Sequence, residues 1–527
     1  MAIKDPVQEG LKAGWQHIDA SQLKQHQAFE ADVVIVGTGA GGGVAAEVLT
    51  QAGHSVIMVE AGALKSSKDF VMEERKAYPE LYQQAAAMKT QDKAISIFQG
   101  RAVGGSTTIN WTTSIRTPEP TLDYWASEHD VRGLSADEML PWFEKMEQRL
   151  NIHEWQYEPN RNNLALRQGC SALGWDYTVI KRNVSGCWNL GYCGMGCPVN
   201  AKQSMLVTTI PEALAGGATL VSQAKAFKVE YQHEQVQAIK AVALDESQSK
   251  TGIELTFKAK HFILAAGAIH TPSLMMRSKL PDPHQLLGKR TFLHPSVLSG
   301  AIFKDPIYGH SGAPQSIYSD QFVWPDNPQQ LGYKLEVPPI HPMLIASKTM
   351  GYGQSHAQLM SDFNQLQVTI ALIRDGFSPE SLGGQVQLTD NGSALNYPLT
   401  PSFWDAARRA YMSMAELQFA AGAKRVLPIH EGMPYLKSWQ QAKTEIPQMD
   451  LAPLKTVVAS AHVMGGCPMS EDVNKGLVSS QGRSHYIENL SVMDGSVFPT
   501  SLGANPQLTI YGMTARNATL LAEQLGN

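Results

Sequence analysis

The segment ADVVIVGTGAGGGVAAEVLTQAGHSVIMVEAG, residues 31–62, constrains this chain more than any other stretch. Residues 33–36 form an apolar, β-branched run of the kind buried on both faces of a parallel sheet. Gly37, Gly39 and Gly42 follow as G-x-G-x-x-G, then a helix predicted over 43–51 and closed by Gly53. A second strand is predicted over 55–59, and Glu60 ends it, 18 residues past Gly42. The first glycine permits a tight strand-to-helix turn, the second lets the backbone approach a pyrophosphate, and the third lets helix pack on strand. The helix N-terminus offers unpaired N–H groups to the diphosphate, and the carboxylate suits the ribose hydroxyls. A dinucleotide-binding α/β unit follows; this segment alone does not separate FAD from NAD.

The chain has 527 residues, room for two or three domains or one intertwined fold. Charged residues are 17 %, below the roughly 25 % usual in soluble proteins, which suits much interior and a buried cofactor. The net charge of −5 and the lack of long Lys/Arg runs argue against a nucleic-acid partner. Residues 1–28 read as a polar, partly helical arm without a signal-peptide core, and no apolar run reaches transmembrane length. The expected location is cytoplasmic, with peripheral membrane contact left open. Five cysteines, an odd number, argue against a secreted disulfide scaffold.

Residues 100–116, GRAVGGSTTINWTTSIR, closely resemble the first signature of the glucose–methanol–choline (GMC) oxidoreductases. Residues 265–278, AAGAIHTPSLMMRS, resemble the second; the family's final Ser-Gly is Ser278-Lys279 here. The C-terminal blocks SAHVMGGCPM (460–469) and NLSVMDGSVFPTSLGANPQLTI (489–510) are similar to the family's catalytic region in order and spacing. The resemblance implies a GMC fold of mixed class: a Rossmann-like α/β FAD-binding domain, and a discontinuous α+β substrate domain on an antiparallel sheet. It places the FAD-binding domain at 29–125, 200–295 and 455–527, and the substrate domain at 126–199 and 296–454. Strands near 314–319, 331–337 and 366–373 would roof the flavin, and helices are expected at 136–150, 401–421 and 508–525.

Carried over residue by residue, the resemblance assigns Arg101, Gly104, Gly105, Ser106 and Asn110 to the flavin loop. It adds Ala266 and Gly267 from the second signature, Asp494, Gly495 and Pro506 from the last block, and the backbone of Val229 against the adenine. Some members carry a flavin-linking His just before the Asn of this loop; Ile109 stands there, so FAD is expected to be non-covalent. His462 matches the family's catalytic base, and Asn505, 43 residues later, its partner. The chemistry suits these types. An imidazole exchanges protons near neutral pH, an amide can hold a developing alkoxide, and only the flavin can take the hydride. The plainer alternatives are a hydrogen-bonded core histidine and an ordinary Asn-Pro turn.

Three features bear on the branch. Cys187, Cys193 and Cys197 fall in SGCWNLGYCGMGCPVNAKQSM, similar to a stretch in long-chain alcohol oxidases. Thiolates at such intervals can hold an iron–sulfur cluster, while packed free thiols or one local disulfide are the plainer readings. The phrase HVMGGCP resembles long-chain alcohol and cholesterol oxidases more than sugar oxidases. Glu336 is a candidate secondary base or a charge beside the substrate, against the commoner reading of a salt-bridged surface residue. The expected activity is FAD-dependent oxidation of a primary, apolar alcohol to the aldehyde, with oxygen or a redox acceptor as second partner. Alternatives are a dehydrogenase feeding a quinone or cytochrome, and a flavin-dependent lyase or photodecarboxylase on the same scaffold.

Overall fold

The computed structural model describes residues 3–526 except positions 328, 350, 379 and 391. Two eight-stranded sheets organise it. In the first, Gln16–Asp19, Thr219–Ser222, Val56–Val59, Gln27–Val36, Lys250–Leu264 and Leu490–Val492 run parallel side by side. An antiparallel pair, Gln235–Leu244 and Ala224–Gln232, extends the sheet from the first half of Lys250–Leu264. Val33, Val34 and Ile35 are fully buried, as expected for a central strand covered on both faces.

The helix Ala40–Gln51 leaves the central strand through Gly37, at φ +98°; a β-carbon there would lie 2.3 Å from the Ala265 carbonyl oxygen. Glycine therefore serves both the turn and the approach of the 265–278 segment. The helix starts three residues earlier than expected, because Gly41, Gly42 and Gly43, poor helix formers, are held by burial rather than propensity. The last helix, Gln507–Gly526, packs on it and on Ala136–Arg149, and its buried residues include Leu508, Tyr511, Ala515 and Ala518, a 3.6-residue stripe.

The second sheet runs Ile95–Ile97, Val458–Ser460, Ser296–Ile302, Leu366–Ile373, Tyr333–Glu336, Ile317–Phe322 and Thr178–Val179, with Arg425–Pro428 also on Ser296–Ile302. Three of these are the strands expected near 366–373, 331–337 and 314–319, and the last begins three residues later than expected. The helices Ala136–Arg149 and Pro401–Ala420 lie where helical periodicity predicts them. A capping box between Ser135 and Glu138 starts the first of the two.

Two expectations need correction. Residues 1–28 are not a detached arm: Gln16–Asp19 pairs with Thr219–Ser222 and forms the edge of the first sheet. Its four residues, QHID, are too short and polar for alternation to reveal them. Nor do the sheets follow the expected division of the chain. Ile95–Ile97 and Val458–Ser460, assigned above to FAD-binding pieces, pair with each other and join the second sheet. Among the described residues no helix is long and apolar enough to cross a membrane.

Candidate active site

A cavity of about 530 Å³ lies between the two sheets. At one end it is walled by Gly37, Gly39, Glu60, Arg101, Gly105, Ser106, Ala266 and Gly267. Glu60 directly follows the strand Val56–Val59 and is buried. One carboxylate oxygen accepts from the Thr38 N–H (3.0 Å) and hydroxyl (2.8 Å), the other from the Gly62 N–H (2.8 Å). Burial nonetheless pushes its pKa up. Four cations, Arg101, Lys225, Lys250 and Arg277, line the same end, and none pairs with a carboxylate among the described residues. Burial, then the charges of Arg277, Lys250 and Arg101, holds Lys225 below the usual lysine range. Buried Arg101 Nε has no partner. An anionic dinucleotide fits this end: it supplies the missing negative charge, and the glycines leave its backbone approach open.

The expected cofactor residues divide clearly. Asn110, Asp494, Gly495 and Pro506 also line the cavity. Asp494 ties the two signatures together: one oxygen accepts from the Gly267 N–H (2.8 Å) and the Thr271 hydroxyl (2.6 Å), the other from the Ser496 N–H (2.8 Å). Gly42 and Gly104 sit behind the wall; Gly42 packs on the Gly37 carbonyl, and Gly104 donates its N–H to the Thr38 hydroxyl. Val229 is not brought to the cavity. Its N–H donates to the Ser278 hydroxyl at 2.8 Å, and Ala224, Lys225 and Ala226 at the start of that strand face the space instead. The weak alternation at 226–231 marked the strand but not which end meets the cavity.

At the other end His462, Asn505 and Glu336 come together. Asn505 Nδ2 is 3.3 Å from His462 Nε2 and 3.4 Å from a Glu336 oxygen. Glu336 is fully buried at the end of Tyr333–Glu336, so the surface reading fails. Its Oε2 accepts from Gln315 Nε2 at 2.6 Å, and Gln315 in turn accepts from the Thr113 hydroxyl at 2.6 Å. Its Oε1 and the Asn505 Oδ1 are buried without partners, and both residues line the cavity. Burial raises the Glu336 pKa to about 7, against an opposing pull from Lys334. Burial lowers that of His462 to about 4, so its imidazole is neutral at neutral pH. Leu298, Leu344, Ile345, Ile370, Leu372 and Val457 give the lining apolar surface, interleaved with the polar side chains of Ser296, His341, Lys348 and Ser460.

Several participants were not singled out from sequence. His294 Nδ1 lies 2.9 Å from His462 Nδ1; its only signal is a His-Pro pair after a short apolar strand. Lys202 is buried and, among the described residues, without a carboxylate partner; its ammonium donates to the carbonyls of Thr108 (2.7 Å), Asn110 (2.9 Å) and Cys193 (2.6 Å). It pins the cysteine loop to the flavin loop, and burial lowers its pKa to about 8. The three cysteines of that loop are free thiols. Cys193 Sγ accepts from Arg182 Nη2 at 3.7 Å and Cys187 Sγ from the Asn189 N–H at 3.5 Å. Among the described residues no three His, Cys, Asp or Glu side chains stand together as metal ligands.

Two family models, both described as GMC oxidoreductase, match residues 78–296 and 379–514. An uncharacterised GMC-type oxidoreductase of Sinorhizobium fredii is 30 % identical over 94 % of this chain and 95 % of its own length. A long-chain-alcohol oxidase of Arabidopsis thaliana is 28 % identical over 99 % of this chain and 71 % of its own length. Among solved structures, formate oxidase of Aspergillus oryzae superimposes with a TM-score of 0.69 at 15 % identity, over 95 % of this chain and 100 % of that one.

Proposed function

Because the chain belongs to the GMC oxidoreductase family, we propose that it oxidises a primary, apolar alcohol to the aldehyde with non-covalent FAD. When bound, FAD supplies the acceptor for the hydride of the carbinol carbon, which no side chain can provide. The observation that carries this reading is the buried Glu336–Asn505–His462 cluster at an apolar end of the cavity. An alcohol oxygen there meets two acceptors without partners, Glu336 Oε1 and Asn505 Oδ1, and nitrogen atoms of Asn505 and His462. The apolar walls and the long-chain-alcohol oxidase relative support the substrate class.

The motif expectation makes His462 the base. The electrostatics favour Glu336 in that role. A general base works best with a pKa near the working pH, and Glu336 sits at about 7 where His462 sits at about 4. In this assignment the hydroxyl proton moves to Glu336 Oε1 while His462 and Asn505 hold the oxygen. The opposite assignment requires a free lone pair on His462 Nε2, and the close approach of Asn505 Nδ2 is the observation in its favour.

Anaerobic mixing with straight-chain primary alcohols is expected to bleach the oxidised flavin band. The second-order rate should rise with chain length by at most about fourfold per methylene, from ~0.8 kcal/mol of burial each, until the apolar walls are filled. Absence of bleaching with every alcohol overturns the proposal. Ile109 lines the cavity where some relatives carry the flavin-linking His. Acid denaturation followed by filtration should therefore leave all the flavin in the filtrate, and flavin retained with the protein contradicts non-covalent binding.

A further inference from the structure

His294 and His462 meet through their Nδ1 atoms, 2.9 Å apart, with rings at 84°. His294 is buried, and its other nitrogen, Nε2, lies 3.2 Å from the backbone N–H of Gly503. A backbone N–H can only donate, so this nitrogen must present its lone pair. A neutral imidazole carries one N–H, so that of His294 is on Nδ1 and points at His462. The Nδ1 of His462 then accepts, and its own hydrogen is left on Nε2, the atom beside Asn505. The assignment needs a peptide group that cannot turn over and two neutral imidazoles, and burial lowers the pKa of both rings.

We infer that His294 is a positioning residue that sets the tautomer of His462, so that Nε2 faces the cavity as a hydrogen-bond donor. The 3.3 Å between His462 Nε2 and Asn505 Nδ2 is then the spacing of two donors that share one oxygen. The assignment rests on the proposed alcohol oxidation and completes its proton balance. The O–H bond breaks with its proton going to Glu336 Oε1, the C–H bond breaks with its electron pair leaving as hydride to bound FAD, and the C=O bond forms. His462 keeps its hydrogen throughout.

The charged groups around the pair keep it uncharged. Burial, then His462, Lys334 and Arg374, hold the His294 pKa well below the usual histidine range. Lys334 lies on the Tyr333–Glu336 strand and Arg374 just past Leu366–Ile373. Glu336 faces His462 across Asn505 and is the one acidic group of the cluster.

The test uses histidine nitrogen shifts in 15N-labelled flavin-loaded protein, with the His462 signals identified by their loss in His462→Gln. Wild type should show His462 protonated at Nε2; protonation at Nδ1 overturns the inference without any reference to turnover. Two variants then separate donor from acceptor. His294→Asn offers an amide N–H to His462 Nδ1 and is expected to keep the Nε2–H signature and turnover within about tenfold. His294→Asp accepts from Nδ1 instead and is expected to flip the signature and lower kcat about a hundredfold or more. An Asp variant as active as the Asn variant overturns the assignment. If Asp does not fold, the wild-type spectrum and the Asn variant still decide. If wild type shows Nε2–H but no alcohol bleaches the flavin, the functional proposal fails and the tautomer assignment stands.

Discussion

Glu336→Gln lowers kcat/KM for a primary alcohol by about 10²- to 10⁴-fold, the range a positioned general base contributes. The substitution keeps shape: a Gln carbonyl at this position can still accept from Gln315 Nε2, and Gln315 still accepts from Thr113. What is lost is the unpartnered Oε1 that receives the proton. The pH dependence carries the sign. With the pKa raised to about 7, the working carboxylate form grows as pH rises, so wild-type kcat/KM climbs through about pH 7 and levels off above it. The variant should be flat across that window. Stability moves the other way. A folded-state pKa above the ordinary 4.5 means the neutral form suits the fold, so the favourable contribution is complete below about 4.5 and is lost as pH rises through 7. The melting temperature of Glu336→Gln should therefore gain on wild type between pH 5 and pH 8. A variant with wild-type turnover and an unchanged profile rules out Glu336 as base.

The second large effect separates folding from cofactor binding inside one glycine motif. A β-carbon on Gly42 would lie 1.9 Å from the Gly37 carbonyl oxygen, a backbone atom in the sheet core that cannot move aside. Gly42→Ala is expected to cost about 4 kcal/mol or more and to yield little folded protein. Gly39 is different. Its φ of −68° is ordinary for alanine, and the nearest atom to an added β-carbon is Gly105 Cα at 3.9 Å. It faces the cavity at the start of Ala40–Gln51, where the backbone must come close to a diphosphate. Gly39→Ala should fold, with a melting temperature of the flavin-free protein within a few degrees of the parent, yet purify with most of its flavin missing. Thermal melts and visible absorbance check both; a yellow, stable Gly42→Ala would sink the packing argument, and a fully loaded Gly39→Ala the cradle.

What could be read from residue order was whatever obeys a short-range rule. The strand, glycines, helix and Glu60 follow one another within thirty residues, and the structure keeps that order. His462 and Asn505 were legible because their motifs are local, and Asn505 Nδ2 does come within 3.3 Å of His462. The failures share a cause in long-range pairing. Gln16–Asp19 is a strand only because Thr219–Ser222 lies beside it. Glu336 could not be told from a surface carboxylate until Leu366–Ile373 and Ile317–Phe322 flanked its strand. His294 matters through Gly503, and Lys202 through three carbonyls, two of them in a distant loop. Val229 was misplaced because alternation identifies a strand without saying which end meets a hollow.

The parallel sheet closes late in biosynthesis. Leu490–Val492 docks against the second half of Lys250–Leu264, whose other side is already taken by Gln27–Val36. A nascent chain emerging N-terminus first therefore carries an open, apolar strand edge until residues 490–492 have left the ribosome. The other sheet also waits: Ile95–Ile97 bonds early to the nearby residues 88–90, but its place in the sheet is taken only when Val458–Ser460 arrives. Such delayed pairing exposes the growing polypeptide to association with its neighbours.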